Sequence, residues 1–369
     1  MVSLDPLFTP FSYGDVSLRN RFVMAPMTRS RSPGGVPTDD VVAYYRRRAE
    51  SEVGLITSEG TLPGHPAASA YPDVPEFHGD GLAGWRKVIA AVREAGGVMV
   101  PQLWHVGSYR QPGLPPDPSV NGYGPSAIPH PGGGRKDKPA VPAHEMSVED
   151  IEQVIGAFRD SAAAAKELGF HGVEIHGAHG YLIDQFFWER TNQRTDAFGG
   201  SLQARTKFAC ELIKAVRSAV GPDFPVTLRY SQWKLGDYEA QLVASPAELE
   251  AFLLPLSEAG VDIFHCSTRR YWEPEFDDLP LNLAGWTKKI TGKPVITVGS
   301  VGFDRAFIER GQPEARPLDR LVEMVAEGEV DLVALGRALL ADPGWVKKAK
   351  EGRLEDVDLY THQALKVLH

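Results

Sequence analysis

Short apolar runs alternate with amphipathic stretches along nearly the whole chain, and this alternation restricts the fold more than any other feature. It is typical of repeated strand–helix units around a parallel sheet. Eight strand candidates occur, at residues 21–27, 53–59, 98–104, 172–176, 226–230, 262–266, 295–298 and 331–335. Helix candidates occur between and after them, at residues 39–50, 84–95, 148–168, 201–220, 246–258, 283–290, 318–327 and 345–350. The count predicts a closed α/β barrel of the (β/α)8 or TIM type.

The structural rival is an open, doubly wound sheet, whose first strand–helix turn carries a Gly-x-Gly-x-x-Gly motif. That motif is missing after residues 23–27. The chain has 369 residues, 43% of them hydrophobic, and no low-complexity linker divides it. We therefore expect a single barrel domain over residues 1–369.

Two segments do not fit a minimal barrel. Residues 106–146 follow the third strand, are rich in proline and glycine, and are too long for a simple connection, so we expect a loop that covers the barrel mouth. Residues 8–14 and 16–22 precede and include the start of the first strand, and they predict a hairpin that closes the opposite end of the barrel.

Composition excludes several classes of function. A formal charge of -9 disfavours nucleic acid as a partner. Cys210 and Cys266 are too few for a disulfide framework, a zinc site or an iron–sulfur cluster, which favours a reducing, cytoplasmic location. The N-terminus lacks a signal pattern, and no run of about 18 apolar residues suggests a membrane span.

Chemically useful residues stand at the predicted strand ends, which converge on one cavity in a barrel. Gly299 with Ser300 and Gly336 with Arg337 follow strands seven and eight, where barrels often hold phosphate. The alternative is that the glycines are turn residues and Arg337 is a solvated charge. The remaining strand-end residues are Pro26, Met27, Thr28, Gln102, Trp104, His105, His176, His179, Tyr181 and Arg229.

His176 and His179 have three readings: metal ligands, structural histidines, or hydrogen-bond donors to a substrate. Two histidines give only two ligands, and no evident carboxylate or thiolate nearby completes a metal set. Taken alone, structural histidines are the commonest explanation, and Tyr181 is more often a packed ring than an acid. Catalysis becomes the better reading only if these residues face a bound electron carrier.

Together, the motifs resemble the Old Yellow Enzyme family from about residue 8 to residue 350. The matching segments are NRFVMAPMT (20–28), QLWH (102–105), HGAHGYL (176–182), TNQRTD (191–196) with GGSL (199–202), and LGR (335–337). The resemblance implies a tightly but non-covalently bound FMN that NADH or NADPH reduces. An activated alkene, such as an α,β-unsaturated carbonyl or nitro compound, would then reoxidise it.

The resemblance also implies individual roles. The FMN phosphate would be held by Gly299, Ser300, Gly336 and Arg337. Thr28 would hydrogen-bond the flavin near its reactive edge, and Gln102 would bond the pyrimidine edge. Arg229 would lie where negative charge gathers on the reduced ring, and Pro26 and Met27 would contact the ring. For the substrate, His176 and His179 would bind its oxygen, Tyr181 would protonate the α-carbon, and Trp104 would shape the pocket wall. His105 receives no catalytic role.

Three departures from the family pattern stand out. Residues 62–71 differ from the glycine-rich stretch usual after the second strand, and Phe198 stands where tyrosine is common. The aromatic and charged loop 267–276 follows strand six. We expect Tyr271 and Trp272 to line the substrate pocket, and Arg269 or Arg270 to meet an anionic group of the substrate or of NADPH. The alternative is a solvated loop with internal ion pairs.

Rival functions need different residues. An aldolase or isomerase without flavin would need a Schiff-base lysine or a carboxylate base at a strand end, for which Glu59 and Glu174 are weak candidates. A module of a larger flavin and iron–sulfur reductase would need clustered cysteines. A flavin-binding barrel without catalysis is the third alternative. The natural substrate, the choice between NADH and NADPH, and whether the chain forms a homo-oligomer stay open.

Overall fold

Eight parallel strands form a closed barrel, as the alternating pattern predicted. The computed structural model describes residues 3–114, 117–133, 139–277, 279–306, 309 and 313–369. The barrel strands are β1 (Phe22–Met24), β2 (Leu55–Thr61), β3 (Met99–Leu103), β4 (Val173–His179), β5 (Val226–Lys234), β6 (Ile263–Ser267), β7 (Val295–Val298) and β8 (Leu332–Leu335). They pair in chain order, and β8 pairs with β1 to close the ring.

Helices connect the strands around the outside. They are α1 (Asp39–Glu50), α2 (Gly81–Glu94), α3 (Val148–Leu168), α4 (Leu182–Phe187), α5 (Leu202–Val220), α6 (Pro246–Ala259), α7 (Leu283–Thr291), α8 (Asp319–Ala326), α9 (Arg337–Ala341) and α10 (Trp345–Lys350). None of the helices in the described ranges is long and apolar enough to cross a bilayer.

Local sequence signals set several helix ends. Ser147 and Asp150 form a capping box at the start of α3, because each side chain accepts a hydrogen bond from the other residue's backbone N–H. Gly169 ends α3 in the left-handed conformation at φ 86°. These signals explain why the predicted bounds of α3 match the structure.

The N-terminal hairpin closes the barrel end opposite the strand C-termini. Strand Phe11–Tyr13 pairs antiparallel with strand Val16–Leu18. Buried Leu18 packs against apolar residues that start the barrel strands, including Leu55 and Val100. The predicted hairpin is therefore present, and it seals the lower interior with apolar contact instead of leaving a pore.

The loop after β3 folds back over the end of β4. Its residues 115–116 and 134–138 lie outside the described part of the chain. The guanidinium of buried Arg110 donates to several loop carbonyls, among them those of Leu114 and Val120. The His130 ring contacts the Gly180 carbonyl through Nε2 at 2.7 Å. The loop is thus fastened to the C-terminal mouth of the barrel.

Candidate active site

A cavity of about 420 Å³ opens at the C-terminal mouth of the barrel, within the usual size range for small-molecule sites. Predicted residues from separate strand ends meet there: Pro26, Met27, Thr28, His179, Arg229, Gly299, Ser300, Gly336 and Arg337. The described lining contains four arginines, Arg29, Arg229, Arg269 and Arg337, and no carboxylate. The cavity therefore suits an anionic ligand, although the chain as a whole is acidic.

Gly299 permits a close approach between the ends of β6 and β7. Its φ is +147°, and a Cβ there would stand 2.7 Å from the Thr268 Oγ1 and 2.8 Å from the Thr268 carbonyl. No side chain fits this position without a shift of backbone. Ser300 follows in the left-handed region at φ 53°, and its hydroxyl donates to the Arg305 carbonyl at 2.7 Å.

Arg337 places its guanidinium, a cation with several N–H donors, beside Ser300. Its Nη2 donates to the Ser300 hydroxyl at 3.1 Å and to the Arg305 carbonyl. Burial lowers the pKa of this guanidinium, but arginine stays charged at neutral pH. The glycine cradle and the fixed arginine have the chemistry that a phosphate group needs.

Arg229 supplies a second buried cation. Its Nη2 donates to the Ser267 hydroxyl at 3.3 Å, while its Nε is buried with no hydrogen-bond partner among the described residues. Burial lowers the pKa of Arg229, and Glu174 opposes that effect. A buried donor without a partner is unfavourable, so this edge of the cavity fits a ligand that carries an acceptor or negative charge.

Gln102 does not line the cavity within the described part of the chain; it lies in a buried network. Its Nε2 donates to Glu174 Oε1 at 2.7 Å, and the other carboxylate oxygen lies 2.7 Å from His265 Nδ1. Burial would raise the pKa of Glu174, but His265, Arg229 and Gln102 together hold it below its usual value. His265 was not singled out from the sequence, and Glu174 was considered only as a candidate base.

His176 and His179 both lie on β4 and are neutral, since burial lowers the pKa of each well below its usual value and Arg229 adds to the effect. His179 Nε2 lies 2.8 Å from the Ser267 hydroxyl, and the His179 ring stacks on Trp233 at 4.2 Å between centroids. His176 Nδ1 accepts the Ala178 amide proton at 3.3 Å, which leaves Nε2 protonated and able to donate.

Tyr181 stands beside these histidines in an aromatic cluster. The centroid of its ring lies 5.1 Å from that of the His176 ring and 5.0 Å from that of the Trp104 ring. The Tyr71 ring stacks on Trp104 at 5.7 Å between centroids. Burial raises the pKa of Tyr181, so the phenol keeps its proton. His176, Tyr181 and Trp104 border His179 but are not part of the described cavity lining.

His105 lies near the catalytic histidine candidates but packs against another histidine. His105 Nε2 lies 3.0 Å from His65 Nδ1, and both rings are buried away from the cavity, which fits a structural His105. Among the described residues, no group of three or more histidine, cysteine, aspartate or glutamate side chains could hold a metal ion.

The backbone around Gly180 is held from both sides. Asp184 Oδ2 accepts the Gly180 N–H at 2.7 Å, while Gln185 Nε2 donates to the Gly180 carbonyl at 2.7 Å. Asp184 in turn forms a fully buried ion pair with Lys234 at 2.7 Å. Because His179 and Gly180 both have positive φ, this turn needs such support to present Tyr181.

Neither Asp184 nor Lys234 was singled out from the sequence. The available signal was a polar residue inside the apolar run Leu182–Phe187, since a buried carboxylate requires a partner.

Tyr271 and Trp272 are not brought to the cavity. Tyr271 is 1% exposed and packs in the hydrophobic core, where its carbonyl accepts from Asn282 at 2.7 Å. The Arg316 guanidinium lies over the Trp272 ring, 3.6 Å from the ring centroid. Trp233, near the polar end of β5, and Tyr238, just after that strand, supply the aromatic cavity wall instead.

Of the two loop arginines, Arg269 lines the cavity and Arg270 does not. Arg269 pairs with Glu239 at 3.1 Å, and Arg270 pairs with Glu273 at 2.8 Å and with Glu309. The Arg270–Glu273 pair lies within the loop, as the alternative of internal ion pairs expected, whereas the other two pairs reach outside the loop and Arg269 keeps its place in the cavity lining.

Comparison with known proteins places the chain in a family. The profile of the NADH:flavin oxidoreductase / NADH oxidase family matches residues 6–356, so the chain belongs to this family of oxidoreductases. The Old Yellow Enzyme resemblance seen in the motifs is thereby confirmed.

Individual relatives agree with this assignment. A 12-oxophytodienoate reductase 2 of Arabidopsis thaliana is 35% identical over 93% of this chain and 88% of its own length. An NADH oxidase of Thermoanaerobacter brockii is 33% identical over 97% of this chain, which spans 52% of that protein's length. A solved structure of morphinone reductase in complex with tetrahydroNAD has a TM-score of 0.80 and 29% identity, covering 97% of this chain and 93% of that one.

Proposed function

We propose that the protein is an FMN-dependent ene-reductase that oxidises NADH or NADPH and reduces the activated C=C bond of an α,β-unsaturated carbonyl or nitro compound. The observation that carries the proposal is a cavity lined by neutral His179 and by Arg229, whose Nε is buried without a partner among the described residues, with neutral His176 and protonated Tyr181 bordering His179. Bound FMN would accept hydride from the nicotinamide and supply it, from N5, to the β-carbon of the alkene.

The cofactor-holding residues divide by the chemistry of the ligand edge they face. Arg337, with the cradle at Gly299, Ser300 and Gly336, would neutralise the FMN phosphate. Arg229 would meet acceptor atoms of the ring through its unpartnered Nε. Thr28, Pro26, Met27 and Gln102 would contact the remaining ring edges.

The substrate-side residues would polarise and then protonate the alkene. Neutral His176 can donate from Nε2 to a carbonyl or nitro oxygen, and His179 can share that oxygen while Ser267 and Trp233 hold its ring. Tyr181 would give its phenolic proton to the α-carbon. Because burial raises the pKa of Tyr181, only a strongly basic carbon, such as one with enolate-like charge, can take that proton.

The aldolase or isomerase alternative lacks suitable groups. No lysine lines the cavity within the described ranges, and Lys234 is buried in its ion pair with Asp184. Glu174 is fully bonded by Gln102 and His265. Glu59 Oε2 is bonded by two backbone amides, and Glu59 does not line the cavity in the described part of the chain.

The deciding experiment follows the colour of the purified protein. We expect a yellow protein that NADH or NADPH bleaches without oxygen, and that cyclohexenone restores. A colourless protein that takes up no FMN would refute the proposal. A yellow, bleachable protein that cyclohexenone cannot reoxidise would favour a passive flavin carrier.

Substituting Tyr181 tests the proton step. Tyr181→Phe should slow reoxidation by the alkene at least tenfold, since general acid catalysis contributes about 10²–10⁴-fold, while leaving reduction by nicotinamide unchanged. Tyr44→Phe is the matched control, because its hydroxyl is buried without a partner among the described residues and does not line the cavity. Equal loss of both half-reactions in Tyr181→Phe would contradict the assigned role.

A further inference from the structure

One buried carboxylate lies outside the described cavity lining and bonds to residues of two other strands, β3 and β6. Glu174 on β4 is the register partner of Gln102 on β3, and Arg229 on β5 is the register partner of His265 on β6. Glu174 Oε1 accepts from the Gln102 amide, and Oε2 accepts from the His265 ring, both at 2.7 Å. The carboxylate and the imidazole have 1% and 0% exposed side-chain surface.

The protonation states within this network are fixed by its geometry. A carboxylate whose two oxygens both receive N–H donors is held in its charged form. The pKa of Glu174 is correspondingly low, while burial keeps the pKa of His265 below its usual value. His265 is therefore neutral and donates through Nδ1, and one full negative charge stays inside the barrel near Arg229.

Glu174 acts on two groups, Gln102 and Arg229, to which the proposed function assigns contacts with the cofactor. The Gln102 amide has its nitrogen directed to Glu174, so its orientation is set and its carbonyl oxygen is left free of that contact. The guanidinium of Arg229 acts in a field that Glu174 partly cancels, since each of the two groups shifts the pKa of the other.

We propose that Glu174 is a positioning residue for Gln102 and a countercharge to Arg229, and that it thereby sets the redox potential of the bound flavin. This inference rests on the proposed FMN site. The reduced form of a flavin carries more negative charge than the oxidised form, and Arg229 favours it. Removing the Glu174 charge leaves Arg229 less screened, so the potential should rise.

The test measures flavin potential and FMN affinity, apart from turnover. In Glu174→Gln, the affinity for reduced FMN relative to oxidised FMN should increase about tenfold, which is a shift of about +30 mV for a two-electron couple. Potentials are read by anaerobic equilibration with a reference dye. FMN dissociation constants are read by fluorescence titration of apoprotein.

Glu329→Gln is the matched control. It also removes one carboxylate charge, from a side chain that is 9% exposed, but Glu329 precedes β8 at the opposite end of the barrel and pairs with Arg320 at 2.6 Å. A shift in Glu174→Gln no larger than that in Glu329→Gln would overturn the countercharge role.

Glu174→Asp separates charge from positioning, because it keeps the charge and shortens the reach to Gln102. We expect a potential close to that of the unsubstituted protein together with weaker FMN binding. Unchanged FMN affinity would overturn the positioning role, and a positive shift as large as that expected for glutamine would overturn the countercharge role. This variant decides both points if Glu174→Gln fails to fold.

Failure of the inference is distinguishable from failure of the proposed function. If the unsubstituted protein binds no FMN, the proposed function itself falls and the inference falls with it. If all variants bind FMN with one common potential, FMN binding stands and the inference alone is refuted.

Discussion

The buried ion pair between Lys234 and Asp184 should be a main determinant of stability at the barrel mouth. Both side chains are fully buried, and Lys234 Nζ lies 2.7 Å from Asp184 Oδ1. Lys234 also donates to the Ser231 carbonyl at 2.8 Å, while Asp184 accepts the Gly180 amide. Lys234→Met keeps the apolar stem and removes the charge, which leaves Asp184 without its cation.

The size of the effect follows from the geometry. At 2.7 Å and an effective dielectric constant of about 20, the attraction is about 6 kcal/mol before desolvation. Removing one partner of such a pair typically lowers the free energy of unfolding by about 3–5 kcal/mol. With the average unfolding entropy per residue applied to 369 residues, this corresponds to a fall in Tm of about 4 to 6 °C.

A double-mutant cycle checks the cause. Asp184→Asn retains an acceptor for the Gly180 amide, so the double variant has neither charge and still supports the turn. Thermal unfolding should show the double variant more stable than the sum of the single effects predicts, with a coupling of about 0.5–3 kcal/mol. Additive effects, or a Lys234→Met midpoint within about 1 °C of the unsubstituted protein, would refute the reasoning.

Two further predictions concern the cavity rim. Gly299→Ala should weaken FMN binding at least tenfold in fluorescence titration, because the new Cβ would meet Thr268 at 2.7 Å. Gly156→Ala is the control and should leave FMN binding unchanged, since its nearest new contact is 3.9 Å away. Equal effects of the two substitutions would argue against a steric cause. Glu59→Gln should raise stability at pH 8 by up to about 3 kcal/mol, because burial raises the Glu59 pKa to about 7 and a carboxyl with a raised pKa destabilises the fold as pH increases. The gain should vanish below about pH 4.5, and thermal midpoints that show the same gain at every pH would contradict this cause.

Periodicity and capping residues made much of the fold predictable. The bounds of α1, α3 and α10 agree with the sequence expectation. In α1 and α3 a side chain before the helix accepts a backbone N–H of the first turn, which marks the start within the sequence itself. Long amphipathic elements are the most readable part of such a chain.

Some strands were predicted too short and some helices were missed, for two separate reasons. β4 and β5 continue to His179 and Lys234, beyond the apolar cores that predicted them. Their last residues are polar yet still paired, with His179 opposite Lys234 after a register shift. The short helices α4 and α9 hold six and five residues, too few for a helical period alone to reveal them, although α10, which is equally short, was predicted.

The sequence predicted those residues of the candidate site that lie at strand ends, but not those that come from long loops. A strand end fixes where a loop leaves the barrel, so Gly299 and Arg337 were expected at the cavity and lie there. It does not fix which way the side chains of a long loop point. Tyr271 therefore packs inward, while Trp233, from the polar end of β5, supplies the wall.

The positive charge of the cavity lining could not be predicted from the positions of charged residues in the sequence. Carboxylates and arginines stand on or next to the same set of barrel strands, and the whole chain carries a formal charge of -9. Folding separates them: Glu174 bonds Gln102 and His265 within the barrel wall, and Glu59 bonds backbone amides, whereas Arg229 and Arg337 face the cavity. Low-dielectric walls strengthen that local field. An acidic protein can thus hold an anionic cofactor, because Glu174 and Glu59 bond to donors away from the described cavity lining.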